Sequence, residues 1–202
     1  HTDSSAASDV YKRQVLSAHP DDLEISCGGT VAKFVDEGNK VDNIILCSNV
    51  KHKKYVPASS KVLGYNPIYL NHRDESSTSK VIAEIEKKVN IESYDLLITH
   101  WSEDWHQDHR FCHELGNSLR RKQQLDVWYM NAYPYCQKYK SFEANLFVDI
   151  TKYKYKKLDA MSLYDNVPDE YYIGIDSMSR YRGSFVHVKH AEVFKVDTLL
   201  YG

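Results

Sequence analysis

Short, nearly continuous apolar runs alternate along this chain with stretches in which apolar residues return every three or four positions. The runs at 15–18, 41–47, 67–70, 95–100, 127–130, 145–149 and 191–196 have the length of strands buried on both faces. Between them, Val31, Ala32, Phe34 and Val35 form a helical stripe that stops at Gly38, a good helix terminator. Val81, Ile82, Ile85 and Val89 mark a second helix, and Phe111, Cys112, Leu115 and Leu119 a third. A lysine-rich helix is expected over 151–164 and a short one near Ser177. The polar, basic stretch 51–60 reads as a loop or an irregular helix start.

This alternation predicts an α/β fold, Rossmann-like, with a mostly parallel sheet covered by helices on both faces and right-handed crossovers. In such sheets ligands bind beyond the carboxyl ends of the strands. Nothing suggests an internal repeat or a second domain, so residues 15–202 are expected to form a single domain. Residues 1–14 are polar and aperiodic, and are expected to be disordered or a non-native extension.

The net charge of −2 offers no basic face for a nucleic-acid backbone, which excludes DNA and RNA as expected partners. No run approaches the roughly 18 apolar residues of a membrane span, and no signal-peptide pattern opens the chain. The four cysteines are widely spaced, as core thiols of a reducing compartment would be, so a cytoplasmic location is expected. The 16 tyrosines, among them Tyr133, Tyr135, Tyr171 and Tyr172 in loop-like stretches, read as core-edge or contact residues and leave a homo-oligomer open. The basic stretches 51–54 and 152–157 read as solvated faces.

Two clusters carry the chemistry. Ala18-His19-Pro20-Asp21-Asp22-Leu23-Glu24 places an imidazole and three carboxylates between an apolar run and Gly28-Gly29. Carboxylates this close repel one another unless a cation or proton sits among them, which points to a divalent metal. About ninety residues on, another apolar run hands the chain to His106-Gln107-Asp108-His109. A catalytic zinc site takes three protein ligands and leaves one position for water. Spacing alone allows His19, Asp21, Asp22, His106 and His109 as donors. Gly-x-Gly-x-x-Gly is absent, so the glycine pair reads as a packing device rather than a phosphate loop. Glu24 is equally readable as a helix first-turn carboxylate.

The pairing of His-Pro-Asp-Asp-x-Glu with a later Asp-x-His-x-Asp-His, here Asp104 to His109, resembles the PIG-L/LmbE-type zinc N-deacetylases. Arg182-Gly183 and His190-Ala191-Glu192-Val193-Phe194 stand where that family usually has Arg-Gly and Tyr-Ala-Glu-x-Phe. The resemblance implies His19, Asp22 and His109 as ligands of Zn2+, with Fe2+ or another divalent ion as substitutes. It implies Asp21 as general base, His106 as the donor to the oxyanion and leaving amine, and Asp108 as the group that orients His106 or His109. Arg73, Asp74 and His187 are its candidates for substrate contact. The implied reaction is removal of an acetyl group from an N-acetylated amino sugar or sugar conjugate, a small-molecule partner. Two rivals remain. One is a non-catalytic sugar-binding protein of the same fold; the other is a two-histidine, one-carboxylate iron enzyme, whose usual all-β setting disagrees with the alternation seen here.

Overall fold

A computed structural model describes residues 11–73, 76–121, 125–132 and 141–196. Seven strands form one sheet: β1 (Lys12–Ser17), β2 (Lys40–Ile45), β3 (Asn66–Tyr69), β4 (Leu96–His100), β5 (Asp126–Met130), β6 (Leu146–Asp149) and β7 (Ala191–Val196), in the order β3-β2-β1-β4-β5-β7-β6. β1 to β5 run parallel to one another, whereas β7 runs antiparallel to both β5 and β6. All five residues of β4 are buried, as expected of a central strand covered on both sides.

Among the described residues six helices cover the sheet: α1 (Asp22–Asp36), α2 (Val56–Leu63), α3 (Thr78–Lys88), α4 (Gln107–Arg120), α5 (Lys154–Met161) and α6 (Asp169–Ser184). One apolar layer joins Val81 and Ile85 of α3 to Phe111, Leu115 and Leu119 of α4. The opposite layer holds Val31 and Phe34 of α1, Leu63 of α2 and Ala160 of α5. The stripes read from the sequence are these buried faces. Gly38, just past α1, takes a left-handed φ of 85° that a side chain would resist, which is why the helix stops there.

Several expectations are corrected. β1 begins at Lys12, inside the segment read as extension, because Lys12–Gln14 pair in register with Lys40–Asp42 despite their polarity. The stretch 51–60 takes the second of its two expected forms, an irregular helix start: a 3-10 turn (Lys51–Tyr55) runs into α2. The short helix near Ser177 is the 16-residue α6, and it carries Tyr171 and Tyr172, which pack on the small cluster of Met161, Tyr164 and Ile175 instead of lying in a loop. Tyr133 and Tyr135 lie outside the described residues.

The third sequence motif is structural. Helix α1 breaks at Cys27 (φ −141°, ψ 18°), which strips Gly29 and Thr30 of intrahelical partners. Glu192 of β7 replaces them, accepting from Gly29 N (3.0 Å), Thr30 N (2.6 Å) and Thr30 Oγ1 (2.6 Å), and its charge is met by the buried Lys157 ammonium at 2.6 Å. A Cβ on Gly29 would stand 2.9 Å from Ile150, and one on Gly183 would stand 2.6 Å from the carbonyl oxygen of Val188. Both glycines are therefore demanded by close approach.

Candidate active site

Strand order reverses between β1 and β4: the chain steps outward from β1 to β3, then returns across β1 to place β4 beside it. A crevice opens at the carboxyl ends of two such strands. The residues after β1 are His19-Pro20-Asp21-Asp22, and those after β4 lead into Asp104 to His109. Clusters about ninety residues apart in sequence thereby meet in space.

Asp22, at the first turn of α1, is the hub. Its Oδ2 accepts from the His19 backbone N–H (2.6 Å) and lies 3.5 Å from His19 Nδ1 and 3.2 Å from His100 Nε2. Its Oδ1 lies 3.3 Å from His109 Nε2. Asp108 Oδ2 approaches His19 Nε2 at 3.1 Å, and Asp104 Oδ2 meets His109 Nδ1 at 2.9 Å. Asp104 Oδ1 also accepts from the His106 backbone N–H at 2.8 Å. His106 caps α4, its Nδ1 accepting from the Asp108 backbone N–H at 3.2 Å. That contact makes Nε2 the ring nitrogen that carries the proton in the neutral imidazole.

The electrostatics suit a cation. Burial opposes charge on His19, but hydrogen bonds to Asp108 and Asp22 raise its pKa to about 10. Burial likewise opposes protonation of His109, yet Asp22 and Asp104 raise it to about 9. Burial also acts against the Asp22 carboxylate, and the charges of His109 and His100 hold its pKa well below the ordinary range. Protons therefore sit between imidazoles and carboxylates where a divalent ion, which must displace such protons to bind, would be welcome. Three sets of side chains bring one donor atom each within 4.8 Å of the others: His19, His106 and His109; His19, Cys47 and Asp108; and Asp22, His100 and His109. The expected trio of His19, Asp22 and His109 is not itself one of these sets: His109 shares one with His19 and another with Asp22. This donor set of imidazole and carboxylate fits zinc or iron(II).

Beside the cluster lies a cavity of about 300 Å³ whose lining includes His19, Asp21, Asp22, His106 and His109, together with Asn166 and Tyr171. Asp21 Oδ2 accepts from Asn166 Nδ2 at 2.7 Å. Burial and then the neighbouring Asp22 charge raise its pKa, which makes it a better proton acceptor.

Other site residues are placed differently from expectation. Asp108 engages His106, one of its two expected partners, through its backbone N–H, but its carboxylate faces His19, while His109 is oriented by Asp104, whose role the sequence did not single out. His100 was missed; it is fully buried and stacks on His109 with ring centroids 4.0 Å apart. Its position as the last residue of an apolar run just before a motif was the available signal. Glu24 is wholly buried, accepting from Ser59 Oγ (2.5 Å) and Tyr65 Oη (2.7 Å), while Tyr164 Oη donates to the Pro20 carbonyl at 2.8 Å. This network anchors the His19–Asp22 turn from behind. Arg73 is exposed, with its backbone N–H on Ser76 Oγ, and Asp74 lies outside the described residues. His187 is exposed after α6, in a left-handed conformation (φ 57°), and is not among the cavity-lining residues.

No family model matches the chain, and no curated protein sequence matches it. Solved structures do. The N,N'-diacetylchitobiose deacetylase from Pyrococcus horikoshii is 21% identical, with 93% of this chain and 84% of that one covered at a TM-score of 0.74. The zinc-inhibited form of a teicoplanin deacetylase is 13% identical over 93% and 100% of the two chains, at 0.72. The 4-carboxy-2-hydroxymuconate hydratase from Pseudomonas putida is 16% identical over 96% and 98%, at 0.78. The chain therefore has the fold of the PIG-L/LmbE-type N-deacetylases, the family that its paired His-Pro-Asp-Asp and Asp-x-His-x-Asp-His motifs resemble.

Proposed function

We propose that this protein is a metal-dependent hydrolase that removes the acetyl group from an N-acetylated amino sugar or sugar conjugate. The observation that carries the reading is the convergence, on one cavity, of Asp21 with the imidazoles of His19, His106 and His109 and the buried Asp22. His19, Asp22 and His109 would hold the metal, zinc by preference. When bound, such an ion supplies a water of pKa near about 7 and a Lewis acid for the amide oxygen.

The chain's own residues do the rest. Asp21, held by Asn166, takes the proton of the attacking water as the new C–O bond forms. His106, its Nδ1 engaged by the Asp108 backbone, presents its Nε2–H to the developing oxyanion and then to the departing nitrogen. The C–N bond breaks, releasing acetate and a free amine. Asp104 keeps His109 in one orientation, and the Glu24 network keeps Asp21 and Asp22 in place from the opposite side. Tyr171 and Asn166, which also line the cavity, offer an aromatic face and an amide to sugar hydroxyls, with Arg73 as a further candidate for substrate contact.

The similarity to the hydratase supports a second reading, in which the same site adds water to a conjugated acid. The experiment is acetate release from a panel of N-acetylated sugars, nucleotide sugars and glycosides by stripped protein titrated with zinc. A titration is needed because a related fold occurs in a zinc-inhibited form. Release that rises with the first equivalent supports deacetylation. Silence on that panel, with loss of near-ultraviolet absorbance from a conjugated acid, replaces it with hydration.

A further inference from the structure

The active-site cavity has an apolar side, on which the half-buried Ile25 stands with the buried Ala132 and Val167. Ile25 follows Asp21 by one helical turn, its backbone N–H donating to the Asp21 carbonyl oxygen at 3.1 Å, so the two side chains share a face of α1. It packs with Val167 on Met161, Tyr164 and Ile175, and its neighbour Glu24 is held by Ser59 and Tyr65. Backbone and side chain are thus both fixed.

Ile25 also lines a second, much smaller cavity, of about 20 Å³, and among the described residues it alone is common to the two linings. Asn131 lines the small cavity and Ala132 the large one, so the chain after β5 divides them as Ile25 does. Such a volume holds about one water molecule. It leaves no room for the Ile25 side chain to retreat into. The small cavity is also polar: Ser26 and Asn131 border it, with the Lys157–Glu192 ion pair at 2.6 Å, and an apolar group pressed that way would meet buried polar atoms it cannot satisfy. Ile25 is therefore a rigid partition between the reactive cavity and a polar one.

A planar trans amide sends its acyl chain and its nitrogen substituent to opposite ends. A sugar on nitrogen needs the open rim, where Asn166 is exposed, which turns the acyl chain toward the apolar side. We infer that Ile25 determines acyl specificity: its side chain is the wall that admits acetyl and excludes propionyl and longer groups. The identity of the acyl group rests on the proposed deacetylation, whereas the wall itself rests on the two cavities.

Straight-chain hydroxamates test the wall without turnover, because a hydroxamate chelates a metal through its two oxygens and carries its alkyl chain where an acyl chain would lie. In calorimetry on the zinc-loaded full chain, acetohydroxamate should bind at least about tenfold more tightly than butyrohydroxamate, since one methylene in a tight apolar pocket is worth about 10–200-fold. Ile25→Ala clears more carbon from the wall than butyryl adds to acetyl, and should erase that difference. Ile25→Val, a milder change, should admit propionohydroxamate. The ratio of acetate to butyrate released from N-acyl glucosamines should shift the same way. An acetyl-to-butyryl ratio unchanged in Ile25→Ala would overturn the inference; should that variant fail to fold, propionyl discrimination unchanged in Ile25→Val would do so. Binding by the wild type that ignores chain length, or no hydroxamate binding at all, would overturn it too. Length-selective binding relaxed at Ile25, with neither acid released, would retire the deacetylation and leave the wall in place.

Discussion

Removing the Glu192 carboxylate should cost this protein more stability than any surface substitution, although Glu192 lies in β7, at the other end of the chain from the helix it supports. Four donors converge on it: Gly29 N, Thr30 N, Thr30 Oγ1 and Lys157 Nζ, all within 3.0 Å. In Glu192→Ala the Lys157 ammonium, whose side chain is 4% exposed, is left without its counter-ion, and two backbone N–H groups at the break in α1 lose their acceptor. Breaking a buried ion pair from one side costs about 3–5 kcal/mol. For a chain of this length each kcal/mol lowers Tm by about 2–4 °C, so a fall of roughly 10 °C is expected. The assay is urea unfolding of Glu192→Ala, Lys157→Met and the double variant. The double variant should lose less than the two single losses combined, because deleting both partners removes the orphaned charge. A Glu192→Ala loss below about 1 kcal/mol, or strict additivity, would show that the pair does not act as a buried unit and would refute the reasoning.

Further outcomes follow from the site and its surroundings. Asp21→Asn should retain the metal, measured by elemental analysis, while losing about two or more orders of magnitude in turnover, as expected for a general base; loss of the metal would move Asp21 into the ligand set. His109→Ala should abolish the zinc-dependent rise in Tm that mass action gives the wild type, and an unchanged rise would remove His109 from the ligands. Gly183→Ala should destabilise by about 1–3 kcal/mol in the same unfolding assay, because the added Cβ meets backbone rather than a flexible side chain. Asp176 is held below its ordinary pKa: burial opposes this, but Lys154 and Arg180 override it. Its contribution is therefore complete above the unfolded value near about 3.9 and is lost as pH falls toward the depressed folded value. Asp176→Asn should narrow the stability gap between pH 6 and pH 3; an identical acid slope in both proteins would exclude the linkage.

The order of strands and helices was legible because each strand is a short apolar run and each helix a stripe, periodicities that backbone geometry imposes locally. The ligand-type residues were legible for a related reason: crowded carboxylates and imidazoles are costly to assemble unless a cation or shared protons sit among them. Local pattern misled where partners lie far away. Lys12–Gln14 look unstructured until β2 and β4 supply their hydrogen bonds, and for residues 51–60 the sparse buried face left loop and irregular helix start undivided. The antiparallel turn of β7 is a matter of sheet closure, to which no residue type within 191–196 testifies.

What the chain decided by itself was the kind of fold and the two clusters of donors. Tertiary structure decided which donor meets which. The reversal between β1 and β4 brings Asp22 to His109; backbone geometry at α4 turns Asp104 rather than Asp108 toward His109; and β7 places Glu192 under a break in α1 that no stripe reveals. Periodicity records only which face of an element is buried, whereas side-chain pairing across the sheet depends on register and strand order, which are global properties of the folded chain.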